Sequence, residues 1–386
     1  GDFDFTRASA ATRINKDGLI ETVASGDSRL SYPLIDGVVS GCPSLLLEPQ
    51  RTNLVQYSED FSTYIKNNVT VTPNSSISPK GDLYGDLITE DSTLNTHRIY
   101  LGSGVNVVAG TSYSVSFFAK NNGANNITIA AGNIGELPIN TTFDLLNGNI
   151  LSSVGESTIE KIGDYYYCTA TATSLTTRNT EIIFYINRTN IAFPFSYQGN
   201  GTSGVYIYGG QVEEGSYPTS YIPTNGGTVT RLGETANGAG DASTFNDSEG
   251  VLFVEMSALA DDVTIRRIAL SNSANNTLVR LEYSASSNRI SALVFDGSVK
   301  LNVFSDAYNI QTSKKLAIKY KSGDNSFFIN GFKVDGNNNS ISMSGLSDLS
   351  FDDGTGAQSF FYGNVKQIQY FDTALSDAEL TTLTTI

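Results

Sequence analysis

Bulky and small or polar residues alternate along much of this chain, in short runs separated by Gly, Pro, Asn and Asp. The segments 112–119 (SYSVSFFA), 165–172 and 204–209 show the pattern clearly. A period of two is that of a half-buried β-strand, whereas a helical face repeats every 3.6 residues. Charged residues make up only 16% of the chain, and Gly, Asn, Ser and Thr are abundant. This composition favours sheets joined by tight turns, so an all-β, antiparallel fold is predicted.

The strand-like segments fall into two groups, which divide the 386 residues into four parts. Residues 1–50 are broken by Gly and Pro and predict an irregular N-terminal lead-in, in which 44–48 is the clearest strand. Residues 51–224 predict one two-sheet sandwich, and 225–249, which contain few bulky residues, predict a linker. Residues 250–386 predict a second sandwich. The expected architecture is two antiparallel β-sandwiches in series.

Three local signals predict turns and a helix. Asn147-Gly148 and Asn330-Gly331 each lie between strand-like runs and predict hairpins with type I′ turns, in which both central residues have positive φ. Ser376 stands three residues before Glu379, which is the spacing of a capping box for a short helix beginning at 377.

Several function classes are disfavoured by charge and by the lack of apolar runs. A net charge of −15 argues against binding to nucleic acids and to anionic membrane surfaces. No apolar run approaches the ~20 residues that span a bilayer, and no signal peptide is visible. The chain begins with Gly rather than Met, and we expect it to be a processed or truncated piece. Cys42 and Cys168 are expected to be two free, mostly buried thiols rather than a disulfide.

Catalytic patterns find little support. The single histidine, His97, lies in the strand-like run THRIYL without a nucleophile motif nearby, which favours a structural role. Glu213 and Glu214 are adjacent, so on a strand they point to opposite faces and cannot form an acid pair about 5–9 Å apart. No E-x-D-x-E triplet is present. We therefore expect no enzymatic activity and no zinc site.

Several longer stretches carry a family resemblance. Residues 4–23 (DFTRASAATRINKDGLIETV), 45–61 (LLLEPQRTNLVQYSEDF) and 209–231 (GGQVEEGSYPTSYIPTNGGTVTR) resemble segments of bacteriophage virion proteins, chiefly tail and fibre-like appendages. The region 51–224 is similar to jelly-roll carbohydrate-binding modules. The C-terminal region, with FFINGFKV and GNVKQIQYFDTALSDAELTTL, is similar to concanavalin-like or laminin-G-like domains. The resemblance implies a jelly roll followed by a concanavalin/laminin-G-like sandwich.

Sugar binding requires aromatic faces that stack on the ring, flanked by side chains that hydrogen-bond to hydroxyls. Strict alternation in 164–168 sends Tyr165 and Tyr167 to one face and Tyr166 to the other, and one of these faces must be core. The candidates for a polar-aromatic patch are five tyrosines and three polar residues: Tyr100, Tyr165, Tyr167, Tyr185, Tyr197, Asn126, Asn187 and Arg188.

The resemblance to jelly-roll modules also implies a structural calcium ion between an N-terminal segment and the last strand. The matching elements are 58–60 and 211–213, and the oxygen ligands they offer are Ser58, Asp60, Gln211 and Glu213. Acidic turns at 261–262 and 352–353 are further loop carboxylates, for which a solvated acidic turn is the favoured explanation.

Three functional hypotheses follow. The first is a non-enzymatic phage tail or virion-surface protein that contacts host or environmental glycans, with other virion proteins as partners. The second is a purely structural virion module without a ligand, which the absence of Trp favours. The third is a polysaccharide-degrading enzyme or its binding portion. Because weak sites gain from multivalency, we expect a homo-oligomer, with a trimer as the candidate state and residues 1–50 near the subunit contact.

Overall fold

The chain folds almost entirely into β-strands, as predicted. The computed structural model describes residues 2–132, 135–188, 195–272, 274 and 276–386. In these ranges the helical elements are one 3-10 turn (Phe61–Thr63) and one α-helix, α1 (Asp377–Thr384). All the strand pairs between named strands are antiparallel; examples occur at the centre of each sandwich. No helix in the described ranges is long and apolar enough to cross a membrane.

The N-terminal segment carries seven short strands, of which β1 and β7 pair with strands elsewhere in the chain. They are β1 (Asp4–Thr6), β2 (Ala11–Ile14), β3 (Ile20–Val23), β4 (Leu30–Ser31), β5 (Leu34–Ile35), β6 (Val38–Val39) and β7 (Ser44–Leu47). Strands β2 and β3 pair with each other, as do β5 and β6. The segment is therefore less irregular than the sequence predicted, which singled out only 44–48, because strands of two to four residues leave little signal in a sequence.

The middle sandwich consists of two six-stranded sheets. Sheet A contains, in spatial order, β10 (Val69–Ser76), β11 (Gly85–Glu90), β24 (Gly204–Glu214), β15 (Ser112–Asn122), β20 (Tyr165–Thr173) and β19 (Glu156–Ile162). Sheet B contains β18 (Asn149–Ser152), β17 (Asn140–Asp144), β16 (Asn126–Ala131), β22 (Ile182–Asn187), β13 (Arg98–Tyr100) and β9 (Ile65–Asn67). Two short pairs flank the sheets: β12 (Leu94–Asn95) with β23 (Tyr197–Gln198), and β14 (Val105–Val107) with β21 (Arg178–Thr180).

The core of the middle sandwich lies between sheets A and B. Phe117 of sheet A meets Phe143 and Phe184 of sheet B edge-on, with ring centroids 5.9 and 5.0 Å apart. Aliphatic residues such as Ile127 and Val205 complete a fully buried layer. This rigid layer fixes which side chains of sheet B point outward.

The C-terminal sandwich consists of a seven-stranded and a five-stranded sheet. Sheet C contains β34 (Phe332–Asn337), β33 (Asn325–Ile329), β32 (Lys314–Lys321), β27 (Glu249–Ala258), β36 (Gly363–Phe371), β7 and β4. Sheet D contains β31 (Val299–Ser305), β30 (Ile290–Phe295), β29 (Leu278–Tyr283), β28 (Arg266–Asn272) and β35 (Leu346–Ser350). Helix α1 places the buried Leu380 against Val251 and Phe328 on the outer side of sheet C.

Strand pairing crosses the predicted domain boundaries. β7 and β4 extend sheet C of the C-terminal sandwich, although they precede the middle sandwich in sequence. β8 (Arg51–Asn53) pairs with β25 (Val229–Arg231), and β1 pairs with β26 (Thr235–Asn237). The lead-in and the predicted linker therefore pack on each other between the sandwiches; the boundaries at 50/51 and 224/225 stay predictions.

The local signals are largely confirmed. Asn330 and Gly331 have φ values of 50° and 85°, as a type I′ hairpin requires. The capping box of Ser376 and Glu379 is present at the start of α1. The hairpin at Asn147-Gly148 exists, but its turn type was wrong: only Gly148 has positive φ. The Asp144 carboxylate accepts hydrogen bonds from the backbone N–H groups of residues 146 and 147 and stabilises a longer turn.

Both cysteines are free, as predicted, but only one is buried. Cys168 lies in the core of the middle sandwich, where burial raises the pKa of its thiol. Cys42 is exposed, so the expectation that it would be buried was wrong: it follows Gly41 in a loop between β6 and β7.

Candidate functional site

Sheet B turns one face to the sandwich core and the other away from it. On β22, Phe184 packs in the core whereas Tyr185 belongs to a separate outer cluster. On β13, Ile99 is in the core, and Arg98 and Tyr100 on either side of it point outward. Arg98 lies opposite Tyr185 in the β13–β22 register, so their side chains leave the sheet on the same side.

Arg98 is held between two tyrosine rings. Its guanidinium carbon lies 5.6 Å from the ring centroids of both Tyr100 and Tyr185, which is cation–π geometry. Its Nη1 donates a hydrogen bond of 3.0 Å to the Tyr185 hydroxyl oxygen. Its Nε is buried without an acceptor. The two rings and one hydrogen bond thus fix the guanidinium but leave donors unused.

A cleft of about 770 Å³ opens over this outer face, and we call it the sheet B cleft. Its floor includes Tyr185 and Ile183 of β22 together with Arg98, and Asn140 of β17 lies at its side. Arg178 also lines the cleft, but its Nη1 contacts Glu136 Oε1 at 2.7 Å, so its charge is compensated. The cleft therefore combines two guanidinium groups with the amides of Asn140 and Asn179 and the carboxylates of Glu136 and Glu181. Its apolar floor is small, since Tyr185 and Ile183 are each only 5% exposed.

Next to the cleft, Phe195 covers Tyr185, with ring centroids 5.2 Å apart. Farther along β22, Asn187 is 1% exposed, and its side-chain amide has no hydrogen-bond partner among the described residues. Asn126 lies opposite Asn187 in the neighbouring strand and is also buried. Both predicted asparagines thus lie on the outer face of sheet B, but in a part of that face that solvent does not reach.

Arg188 and Tyr197, two predicted sugar ligands, form a separate network. The Tyr197 hydroxyl donates to Glu90 Oε2 at 2.5 Å, and Arg188 Nε lies 3.0 Å from Glu90 Oε1. The Tyr197 ring also packs on His97, with centroids 4.6 Å apart. His97 is buried, and its Nδ1 lies 2.8 Å from the backbone oxygen of Asn68. These residues stabilise the edge of the sandwich, and the structural interpretation of His97 agrees with this environment.

Tyr165 and Tyr167 lie on sheet A, on the far side of the sandwich from the cleft. They face outward together, as the alternation predicted, and join a cluster with Phe118, Tyr208 and Tyr221. Ile20 of the N-terminal segment covers this cluster. Burial is the main reason why the pKa of Tyr165 rises to about 12. The structure therefore does not bring Tyr165 and Tyr167 together with the other predicted sugar ligands.

The segment 216–224 packs back against sheet A through its tyrosines. Tyr221 is buried, and its hydroxyl lies 2.7 Å from Ser58 Oγ and 3.1 Å from Glu59 Oε1. Tyr217 lies under Arg51, whose guanidinium carbon is 5.3 Å from the ring centroid. The prolines in this segment end the strand, and the tyrosines attach the segment to the domain surface.

A buried ion cluster joins the two sandwiches, and we call it the joint cluster. It consists of Arg7, Arg29, Glu48, Arg231 and Glu234, all nearly inaccessible to solvent. Glu234 accepts from Arg7 Nη1 at 2.6 Å and from Arg29 Nε at 2.8 Å. Glu48 lies 2.8 Å from Arg29 Nη2 and 2.6 Å from Arg231 Nη1. Burial opposes ionisation of Glu48, but Arg231 and Arg29 outweigh it and lower its pKa to about 2.

Each of the three sequence stretches that carried the phage resemblance contributes one residue to the joint cluster: Arg7, Glu48 and Arg231. Its members come from the lead-in, from the residue after β7 and from the predicted linker. Ser220 of the proline-containing segment donates to Glu48 through both its backbone N–H and its hydroxyl. These stretches fold into one interface, so in this structure their polar residues serve packing between domains.

The four predicted calcium ligands do not converge on one point. Glu213 accepts hydrogen bonds from the backbone N–H and the hydroxyl of Thr219, and burial raises its pKa. The Gln211 side-chain oxygen accepts from the N–H of Ile222, and Ser58 bonds to Tyr221 and to residue 224. Asp60 caps the 3-10 turn by accepting from the N–H of Ser62. Each of the four side chains thus has hydrogen-bond partners of its own in the protein, and calcium stays a prediction.

In the described ranges, no group of three or more His, Cys, Asp and Glu side chains is placed to hold a metal ion. The prediction that the protein is not an enzyme stays untested.

Sequence reasoning found Tyr100 and Tyr185 but missed their neighbours Arg98, Asn140 and Arg178. A signal for Arg98 was present, since it stands two residues before Tyr100 in a strand and must share its face. Asn140 and Arg178 gave no comparable signal, because the cleft they line is formed by the pairing of distant strands.

Comparisons with known proteins leave the chain without a family assignment. No family model matches it, and no curated protein matches it. Among solved structures, the CBM40 of the Ruminococcus gnavus IT-sialidase bound to α2,3-sialyllactose is 17% identical, covers 39% of this chain and 94% of its own, and has a TM-score of 0.32.

Two longer matches are equally remote. A putative carbohydrate binding protein from Bacteroides ovatus is 9% identical over 75% of this chain and 80% of its own, with a TM-score of 0.30. Domains LG4-5 of the mouse laminin α1 chain are 9% identical over 90% of this chain and 96% of their own, with a TM-score of 0.27. At such scores the likeness carries no functional argument, and function is argued from this chain's own residues.

Proposed function

We propose that the protein is a non-enzymatic glycan-binding protein that holds its ligand in the sheet B cleft. The observation that carries the proposal is the outer face of β13 and β22, where Arg98 is fixed by Tyr100 and Tyr185 at the floor of a cleft of about 770 Å³. This volume lies within the range of about 300–1,000 Å³ that is usual for ligand sites.

The chemistry of the cleft suits a sugar. The apolar face of a pyranose packs on aromatic and aliphatic side chains. Tyr185 and Ile183 line the cleft but are each only 5% exposed, and the half-buried Tyr100 beside Arg98 offers more ring surface. Its hydroxyl groups need donors and acceptors in fixed positions. Asn140 offers an amide whose side chain makes no hydrogen bond with the described part of the chain, and Arg98 offers unused N–H groups.

The placement on a phage particle rests on the sequence resemblance alone. On that basis the protein is a tail or virion-surface appendage, and its partners are glycans of the host surface or environment and other virion proteins. The alternative is a structural spacer without a ligand, which the extensive buried joint between the sandwiches favours.

The first experiment is a glycan array, followed by affinity electrophoresis in gels that contain the polysaccharides found positive. Wild-type protein and the variants Asn140→Ala and Tyr185→Ala are compared. Loss of one neutral hydrogen bond should weaken binding about two- to tenfold for Asn140→Ala. Tyr185→Ala should weaken it more, because the floor of the cleft and the support of Arg98 are both lost.

The matched control is Asn302→Ala, which removes the same amide from an exposed position on β31 of the other sandwich. It should bind as wild type does. Absence of glycan binding, or binding that neither cleft variant weakens, would contradict the proposal and leave the structural spacer. Incubation with the bound polysaccharides should release no new reducing ends; their release would indicate an enzyme.

A further inference from the structure

Arg98 is exceptional among the arginines of this chain. There are twelve arginines, all in the described ranges, and ten of them form an ion pair with Asp or Glu. Arg51 and Arg98 do not. Arg51 lies on Tyr217 in the joint between the sandwiches and donates to the backbone oxygen of Gln50, so its position serves packing. Arg98 instead lines an open cleft.

The unpaired state of Arg98 is unexpected in so acidic a chain. With 39 acidic against 24 basic residues, carboxylates are plentiful. A buried N–H without an acceptor is unfavourable, and native proteins leave few of them. Arg98 shares a buried Nε without an acceptor with Arg51, Arg188, Arg231, Arg266 and Arg280, so the feature of Arg98 that bears on binding is its Nη2, which makes no hydrogen bond with the described residues. Because Nη2 is not enclosed by the protein, it can donate a charge-assisted hydrogen bond to a carboxylate or sulfate in the cleft.

We propose that the sheet B cleft selects anionic glycans, and that Arg98 is the residue that determines this selectivity. The anionic group, either the carboxylate of a uronic acid or a sulfate ester, docks on the free side of the Arg98 guanidinium. The adjoining sugar ring lies in the cleft beside Arg98. The inference rests on the proposed function and specifies the ligand class for the same cleft.

The position of the rings supports this assignment. Tyr100 and Tyr185 hold the guanidinium at equal distances of 5.6 Å, and the hydrogen bond to the Tyr185 hydroxyl fixes its orientation. A guanidinium that is already ordered loses little side-chain entropy when an anion binds, so more of the interaction contributes to affinity. Arg178, the other cation of the cleft, is paired with Glu136.

The experiment compares ligands that differ only in charge. Oligomers of uronic acids are titrated beside their methyl esters, and sulfated oligosaccharides beside their desulfated counterparts, with affinity measured by calorimetry. The variants are Arg98→Gln, Arg98→Lys and the control Arg289→Gln. Arg289 is paired with Asp306 on the C-terminal sandwich, so this control removes the same charge away from the cleft.

In wild type, one anionic series should bind about ten- to a hundredfold more tightly than its neutral counterpart, as a charge-assisted hydrogen bond implies. The series that shows the difference identifies carboxylate or sulfate as the ligand group. Arg98→Gln should lower the affinity for the anionic form to that for its neutral counterpart, so that the difference between the two disappears. Arg98→Lys should keep only part of it, and Arg289→Gln should behave as wild type.

The failures of the two proposals are distinguishable. Equal affinity for charged and neutral forms, with binding still weakened by Asn140→Ala, would overturn the anionic selectivity and leave glycan binding in the cleft. Charge selectivity that Arg98→Gln retains would equally overturn the role of Arg98. Absence of binding to any member of the four ligand series and to the array would overturn both proposals.

Discussion

The joint cluster should hold the two sandwiches together, and Glu234→Gln tests this with the smallest change in shape. Glu234 is completely buried and accepts hydrogen bonds from Arg7, from Arg29 and from the backbone N–H of Glu48. Glutamine keeps the volume and one oxygen, but it removes the negative charge that faces two buried guanidinium groups.

The expected loss is large because the charges cannot reach water. Removing one member of a buried ion pair leaves its partner uncompensated, which costs about 3–5 kcal/mol in the free energy of unfolding. The side chains of Arg7 and Arg29 are both 0% exposed, so neither can turn outward to be hydrated. Burial already lowers the pKa of the Arg7 guanidinium, which indicates that its compensation is incomplete even with Glu234 present.

The assay is urea unfolding followed by circular dichroism, with Glu21→Gln as the matched control. Glu21 pairs with Arg13 at the surface, where the two side chains are 43% and 28% exposed. An exposed pair contributes roughly 0–1 kcal/mol, so this control should unfold almost as wild type does. If Glu234→Gln lost no more stability than Glu21→Gln, the joint cluster would not be a determinant of stability.

Two further predictions concern the stability of the protein at low pH and the N-cap of the C-terminal helix α1. Because its pKa is lowered to about 2 from 4.5, Glu48 contributes stability that is fully present above about pH 4.5 and is lost as the pH falls towards 2. Urea midpoints should decline in that window more steeply in wild type than in Glu48→Gln, and parallel curves would contradict the assignment. Ser376→Ala removes the hydroxyl that caps α1 and should cost about 1 kcal/mol. Hydrogen exchange should accelerate in α1, with Ser376→Asp as the protected control; unchanged exchange in Ser376→Ala would argue against the cap.

Local features of the fold could be predicted because their causes lie within a few residues. The Asn330-Gly331 turn and the capping box of Ser376 each depend on neighbouring side chains and φ values alone. The turn at Asn147-Gly148 was only half predicted, because the hydrogen bonds of Asp144 extend it. Alternation correctly paired Tyr165 with Tyr167.

The cover over Tyr165, the joint cluster and the sheet B cleft could not be predicted, because they depend on contacts between distant parts of the chain. Nothing near Tyr165 shows that the N-terminal segment covers it, and the joint cluster links Arg7 to a residue 227 positions away. The sheet B cleft is similarly formed by β13, β17 and β22, which are separated in sequence but adjacent in space. Arg98 was within reach of sequence reasoning, but its lack of an ion-pair partner is visible only when all the carboxylates are placed.

A crystal structure of the protein with a bound oligosaccharide from the array tests the central claim most directly. We predict sugar density over the outer face of sheet B, with a sugar ring in the sheet B cleft and its anionic group within hydrogen-bonding distance of Arg98. Density confined to the C-terminal sandwich or to the joint, with the sheet B cleft free of sugar at saturating ligand, would contradict the account.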